Sequence, residues 1–228
     1  MKTWRATVAA ALLIAFGTTA QAGIVVGGTR LVYDGGKKES SINVGNPDNN
    51  TYLIQSWVDS GDTPQGTRAA KAPFVVTPPL FRLDANQQNI LRVVRAGGNL
   101  PENKESLFWL NIKSIPSAEK RENTLQIAVK TRIKLIFRPA GVKSMLDESA
   151  KSLTWKRAGN RLQVTNPSPH YITFFNVKIN GSTLKNVTMV APQSDASFDL
   201  PANVAGGSLS WQFINDYGGI SKVLSASL

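Results

Sequence analysis

The segment Thr124-Leu125-Gln126-Ile127-Ala128-Val129-Lys130-Thr131-Arg132-Ile133-Lys134-Leu135-Ile136-Phe137 alternates along almost all of its length. Its odd positions are Leu125, Ile127, Val129, Thr131, Ile133, Leu135 and Phe137, and its even positions after Thr124 are Gln126, Ala128, Lys130, Arg132, Lys134 and Ile136. A period of two places successive side chains on opposite faces of a strand, so this segment reads as a β-strand with one apolar face. A typical strand has about 5–6 residues. At about 3.3 Å per residue this one would span about 45 Å, more than a sandwich of this size needs. Part of it must reach beyond its own core or lie at an edge. An ordinary core strand and an edge offered to another chain are the two readings. The polar segment from Ser117 to Asn123 that precedes it, and its apolar start at Leu125, Ile127 and Val129, favour the edge. An exposed apolar edge invites aggregation, so it needs a purpose.

The rest of the sequence has the same grammar. Thr29–Tyr33 ends at Asp34-Gly35-Gly36, and Ser41–Val44 and Thr51–Val58 are split by the turn-forming run Gly45–Asn50. Phe74–Val76 leads into Thr77-Pro78-Pro79, and Asn89–Val94 is another strand-like run. Leu107–Ile112 is mostly apolar, as expected of a central strand buried on both sides. Arg138-Pro139-Ala140-Gly141 ends the long strand, because proline cannot continue a ladder. Beyond it come Arg161–Thr165, the turn Asn166-Pro167-Ser168-Pro169, Tyr171–Ile179 with the hairpin signal Asn180-Gly181, Ser208–Ile214 and Lys222–Ser227. Outside the N-terminal leader no stretch of ten or more residues holds a helical period. Short strands broken by Gly, Pro, Asn and Asp argue for an all-β fold of sandwiches, with a boundary near residues 140–146.

Composition narrows the function. The chain has 228 residues, no Cys and one His, and a formal charge of +11. It therefore has no disulfide, thiolate nucleophile, Cys-ligated zinc or iron–sulfur cluster. A multi-His metal site cannot be built, and a Ser–His–Asp triad requires His170 as its base. Met1–Ala22 has the charged start, the apolar run Ala6–Gly17 and the Ala20-Gln21-Ala22 end of a cleavable secretory leader. The run is too short to span a bilayer. The expectation is export, cleavage after Ala22 and no membrane insertion. The cations are scattered, no run reaches five, and nucleic acid is not an expected partner outside the cytoplasm.

No phosphate-binding loop, dinucleotide fingerprint, nucleophile elbow or zinc-protease helix is present, and the expectation is a protein that is not an enzyme and needs no cofactor. His170, directly after a turn, reads as a surface or strand-start residue. Asp147 and Glu148 are adjacent, which does not support a paired-carboxylate site.

Several blocks occur together in one order: Thr29-Arg30 with Tyr33-Asp34-Gly35, Tyr52–Val58, Val76–Arg82, Glu105–Asn111, Ile115-Pro116, Asn123–Ala128, Arg132–Pro139, Asn166–Pro169 and Ile214–Gly218. In these the chain resembles the periplasmic pilus chaperones of the chaperone–usher pathway, in their short-loop subclass, over nearly all of its length after the leader. The resemblance implies two immunoglobulin-like β-sandwich domains arranged in an L, at 23–141 and 142–228 after a signal peptide at 1–22, with the binding cleft between them. It implies that Arg30 and Lys134 grip the C-terminal carboxylate of a pilin subunit. Neither is expected in the core. It implies that Leu125, Ile127 and Val129 fill the groove of a pilin lacking its last strand. Glu105, Arg138 and Asp216 match an ion cluster joining the domains. Thr77, Pro79 and Arg92 lie in blocks associated with the usher-facing side. The implied partners are pilin subunits and an outer-membrane usher, with self-capping oligomers when the chaperone is free. Other classes that fit the β grammar are a pilin-like fibre subunit and a carbohydrate-binding sandwich using Trp57, Trp109, Trp155 and Trp211. The two β blocks and the internal position of the long strand count against the first. Core packing of the tryptophans counts against the second.

Overall fold

The computed structural model describes residues 23–61, 72–117, 125–201 and 206–228. The expected leader at 1–22 and most of the polar segment before the long strand lie outside them. Two separate apolar cores form, one from residues between Tyr33 and Phe137 and one from residues between Leu146 and Phe213.

The first core lies between two sheets. One has the order β1 (Val25–Val26), β3 (Glu39–Gly45), β7 (Gln88–Arg95), β5 (Phe74–Thr77). The other has the order β2 (Arg30–Asp34), β9 (Val129–Arg138), β8 (Ser106–Pro116), β4 (Tyr52–Asp59), β6 (Leu80–Leu83). All pairs are antiparallel except β2 with β9, which run parallel with Arg30 opposite Lys134 and Asp34 opposite Arg138. Alternation assigns the faces: Ile133, Leu135 and Phe137 enter the core, while Lys130, Arg132, Lys134 and Arg138 lie on the other side of the sheet. Phe137 is fully buried, with Tyr33 and Phe74 ring centroids at 5.9 and 6.1 Å and the Arg95 guanidinium 4.7 Å above its ring. The β2 strand stops at Asp34-Gly35. A Cβ on Gly35 would stand 2.9 Å from the Arg138 carbonyl, the group that the Gly35 amide reaches.

After the short helix α1 (Leu146–Lys151), the second core lies between sheets β10 (Thr154–Ala158), β11 (Arg161–Asn166), β15 (Ser194–Asp199) and β13 (Ser182–Thr183), β12 (Ile172–Ile179), β16 (Ser208–Phe213), β17 (Leu224–Ser227). The two-residue β14 (Met189–Val190) also pairs with β12. The β12–β13 hairpin turns at Asn180-Gly181, with φ of 48° and 81°, the left-handed conformation that Asn and Gly tolerate best.

One expectation, for β8, needs correction, and three other readings gain detail. The long strand enters the ladder only at Val129, opposite Ser114 of β8, and among the described residues none pairs with 125–128. Only one face of β8 is core. Its other face carries the half-buried Trp109 and Lys113, since no second layer covers that side completely. Asp147 and Glu148 lie in the first turn of a helix, on its solvent face, where negative charge suits the N-terminus. At six residues, α1 is too short for a sequence period to reveal. As the packing reading expects, Trp109, Trp155 and Trp211 are packing groups. Trp211 is buried, Trp155 lies 5.3 Å from it, and Trp109 lies under Arg132.

Truncating Phe137 removes the ring on which three neighbours rest. Phe137→Ala is expected to cost about 3–5 kcal/mol, read as a fall in the denaturant midpoint with the slope unchanged.

Candidate functional site

The site follows from how β2 covers β9. One edge of β9 is hydrogen-bonded to β8 from Val129 to Phe137. On its other edge β2 pairs only from Lys134 to Arg138. Among the described residues, the backbone edge of Val129–Ile133 is therefore open, and residues 125–128 continue it, exposed to solvent. Leu125, Ile127 and Val129 are 83, 67 and 56% exposed. They share the face that carries Ile133 and Leu135 into the core, so the apolar stripe of one strand continues past its own domain.

The open edge ends at two cations. Arg30 and Lys134 are register partners, and both lean towards the second domain. Arg30 donates from Nη1 to the Ile214 carbonyl at 3.0 Å, and Lys134 donates from Nζ to Thr173 Oγ1 at 3.0 Å. Arg30 is 8% exposed and its Nε is buried without a hydrogen-bond partner. This corrects the expectation that neither residue is core: Arg30 is a buried tie between the domains. Burial lowers the pKa of Arg30, offset in part by the charges of Asp216 and Glu105. Burial and the neighbouring Arg30 push Lys134 down to about 8. Two adjacent, partly desolvated cations with an unused N–H form a receptor for an anion, and a carboxylate satisfies both through charge-assisted hydrogen bonds.

Behind this pair lies the ion cluster. Arg138 donates from Nε to Glu105 Oε1 at 2.7 Å and through both terminal nitrogens to Asp216 at 2.7 and 2.8 Å. Glu105 is also reached by the Tyr171 amide at 2.7 Å and meets His170 Nδ1 at 3.0 Å. Burial alone would lower the pKa of Arg138, but the hydrogen bonds and charges of Asp216 and Glu105 outweigh it and raise the value. Glu105 and Arg138 come from the first domain and Asp216, His170 and Tyr171 from the second, so the cluster joins them.

His170 is wholly buried rather than at the surface, and sequence reasoning missed it as a cluster member. The available signal was its position directly after the Asn166–Pro169 block. The Ser144 hydroxyl, His170 and Glu105 lie in the order of a hydrolytic triad, with contacts of 3.1 and 3.0 Å. His170 Nε2 also lies 2.9 Å from the Ser144 carbonyl, so its two ring nitrogens bridge Glu105 and the connecting segment at Ser144. Glu105 is shared with Arg138.

Thr77 and Arg92 are cross-strand partners on the outer face of the β5–β7 sheet, and Pro79 is exposed beside them. The Thr77–Pro78 peptide is cis. Val75, Ile90 and Val94 are exposed on the same face. This group belongs to the sheet of the first domain that does not contain β9.

The fold and site define a two-domain immunoglobulin-like protein that presents a strand edge beside an interdomain cleft. Residues 23–143 match the family of pili and flagellar-assembly chaperones, PapD N-terminal domain, and residues 148–224 match the pili assembly chaperone PapD, C-terminal domain. The chain belongs to this pilus-assembly chaperone family. It is 41% identical over 211 residues to the chaperone protein FimC of Escherichia coli K12, covering 90% of this chain and 85% of FimC. The SafB chaperone of Salmonella enterica, solved in complex with the SafA pilin, superposes with a TM-score of 0.82 at 36% identity, over 92% of this chain and 99% of SafB. The Escherichia coli chaperone DraB superposes with a TM-score of 0.80 at 40% identity, over 90% and 96%.

The electrostatics make three predictions. Glu105→Ala leaves Arg138 under-paired in a buried site and is expected to cost about 3–5 kcal/mol. Asp216→Ala, at the wetter end of the cluster, is expected to cost about 1–3 kcal/mol, with a changed interdomain angle in small-angle scattering for both. Lys134 has a folded-state pKa below that of the unfolded chain, so between about pH 8 and 10.5 the unfolded chain binds more protons. The contribution of Lys134 to stability therefore rises with pH across that window. The difference in unfolding free energy between wild type and Lys134→Met, measured from pH 7 to 10.5, is expected to move in favour of wild type.

Proposed function

We propose that the chain is exported with removal of residues 1–22, and that residues 23–141 and 142–228 act together as a periplasmic chaperone for pilin subunits. The observation that carries this reading is the open edge of β9 ending at Arg30 and Lys134. A subunit whose C-terminal strand pairs with residues 125–133 and whose terminal carboxylate sits at the cations must run in the same direction as β9. Its main chain satisfies the open edge. The row Leu125, Ile127 and Val129 enters its apolar groove, where side-chain spacing sets the register. The carboxylate supplies the charge that Arg30 and Lys134 lack. Capture needs no nucleotide, since the binding energy is that of a strand and its anchor.

The cluster of Glu105, Arg138 and Asp216 holds the domains at the angle that keeps the cleft open to the subunit. The exposed face with Thr77, Pro79 and Arg92 is assigned to the outer-membrane usher, to which the loaded chaperone delivers its subunit. That face stays accessible while the β9 edge is occupied. In the absence of a subunit, a second copy of the chain covers the apolar row.

Lys134→Ala and Arg30→Ala are each expected to weaken capture by about 2–5 kcal/mol, measured as complex yield after mixing with a purified subunit. Arg30→Ala also lowers the melting temperature, because it removes an interdomain hydrogen bond. Ile127→Asp forces an unpaired charge into an apolar groove and is expected to abolish capture. Gln126→Glu, on the opposite face, is expected to keep it. Both leave the melting temperature of the free protein unchanged. Equal losses for the two variants would overturn the register. A large loss of stability in Ile127→Asp alone would make the segment an ordinary core strand.

A further inference from the structure

The face of the β2–β9–β8–β4–β6 sheet that looks away from the first core carries more cation than the carboxylate anchor uses. Lys113 on β8 stands directly opposite Lys130 on β9. Like charges at directly opposed positions destabilise a sheet, their Cβ atoms being about 5 Å apart. Among the described residues neither lysine has an ion-pair partner. The neighbour of Lys113 on its other side, Gln55, is neutral. The carboxylate of β4 on this face, Asp59, is already held by Arg132 at 3.3 Å and by Asn111 at 2.9 Å. Lys130 is exposed and lies along the open part of the β9 edge, two residues of the same face before Arg132 and four before Lys134. The row Lys113, Lys130, Lys134 and Arg30 is thus continuous with the anchor and runs beside the track that a partner strand must follow.

We infer that Lys113 and Lys130 form a specificity subsite for an acidic side chain on the partner's C-terminal strand, about four residues before its terminal carboxylate. This rests on the capture reading above. With the terminal residue beside Lys134 and the two strands parallel, that position falls beside Lys130 and on the same face of the sheet. Its carboxylate lies beside Lys130, on the side of β9 away from Lys113, and offsets the excess positive charge of the pair, so the repulsion present in the free chaperone is partly neutralised in the complex. An apolar or amide side chain at that position leaves the repulsion in place.

The test uses the full chain without its leader and synthetic peptides of about 12 residues with alternating valine and threonine. One peptide carries Glu and a second Gln at the fourth position before a free C-terminal carboxylate. A third is the Glu peptide with its terminus amidated. At low salt the Glu peptide is expected to bind about two- to fivefold tighter than the Gln peptide, a preference that shrinks as salt is added. In the Lys113→Gln, Lys130→Gln double variant the preference is expected to vanish, with affinity for the Gln peptide retained. The same double variant is expected to melt at or above the temperature of wild type, because a like-charge pair is gone. Equal binding of Glu and Gln peptides to wild type, a preference that survives in the double variant, or a lowered melting temperature would each overturn the subsite. The amidated peptide reads the anchor separately: binding equal to that of the free carboxylate would overturn the role of Arg30 and Lys134, whatever the Glu and Gln peptides do.

Discussion

A strand inside a sheet has two hydrogen-bonding edges, and β9 has a partner along only part of the second. The β8 strand occupies the first edge from Val129 to Phe137, while β2 occupies the other only from Lys134 onward. This incomplete coverage determines the rest. It leaves main-chain donors and acceptors of residues 129–133 free to pair, and it lets the apolar stripe that builds the core continue past the core as Leu125 and Ile127. It also decides where an added strand must stop, since β2 blocks the path at the residue that faces Arg30. Had β2 begun several residues earlier in the ladder, the edge would be closed and the stripe would have no use.

The stop is charged for a physical reason. A chain that runs along the open edge towards β2 arrives C-terminus first, and a C-terminus is an anion. In the proposed capture Arg30 and Lys134 meet it from two strands held in fixed register, so their spacing does not depend on loop conformation. Both are partly desolvated, which strengthens their pull on a carboxylate and makes their mutual repulsion costly when none is there. The second domain contributes the Ile214 carbonyl and Thr173 hydroxyl that hold the cations in place.

That contribution requires a defined interdomain angle. The Arg138–Glu105–Asp216 cluster supplies it with bidentate and shared hydrogen bonds, and His170 extends the same network to the connecting segment at Ser144. A buried ionic network is weak evidence for net stability. Its value here is geometric, because each group has one arrangement that satisfies all its partners and a hinge so fixed cannot drift.

Much of this was legible in the sequence. Alternation over residues 124–137 is a local property of strands, so the direction of every side chain on β9 and the excess length of its stripe could be read directly. Asn180-Gly181 marked its hairpin for the same local reason. The pairing of Arg30 with Lys134, the burial of Arg30, the membership of His170 in the hinge and the opposition of Lys113 to Lys130 could not be read that way. Each depends on residues far apart in the chain meeting through register or across the domain junction. Sequence carries the period of a strand but not the identity of its neighbour, and whether a polar group is buried depends on what the rest of the chain places over it. Alternation alone therefore determined which faces the side chains take, and only the tertiary structure decided which edge stayed open and which charges stood beside it.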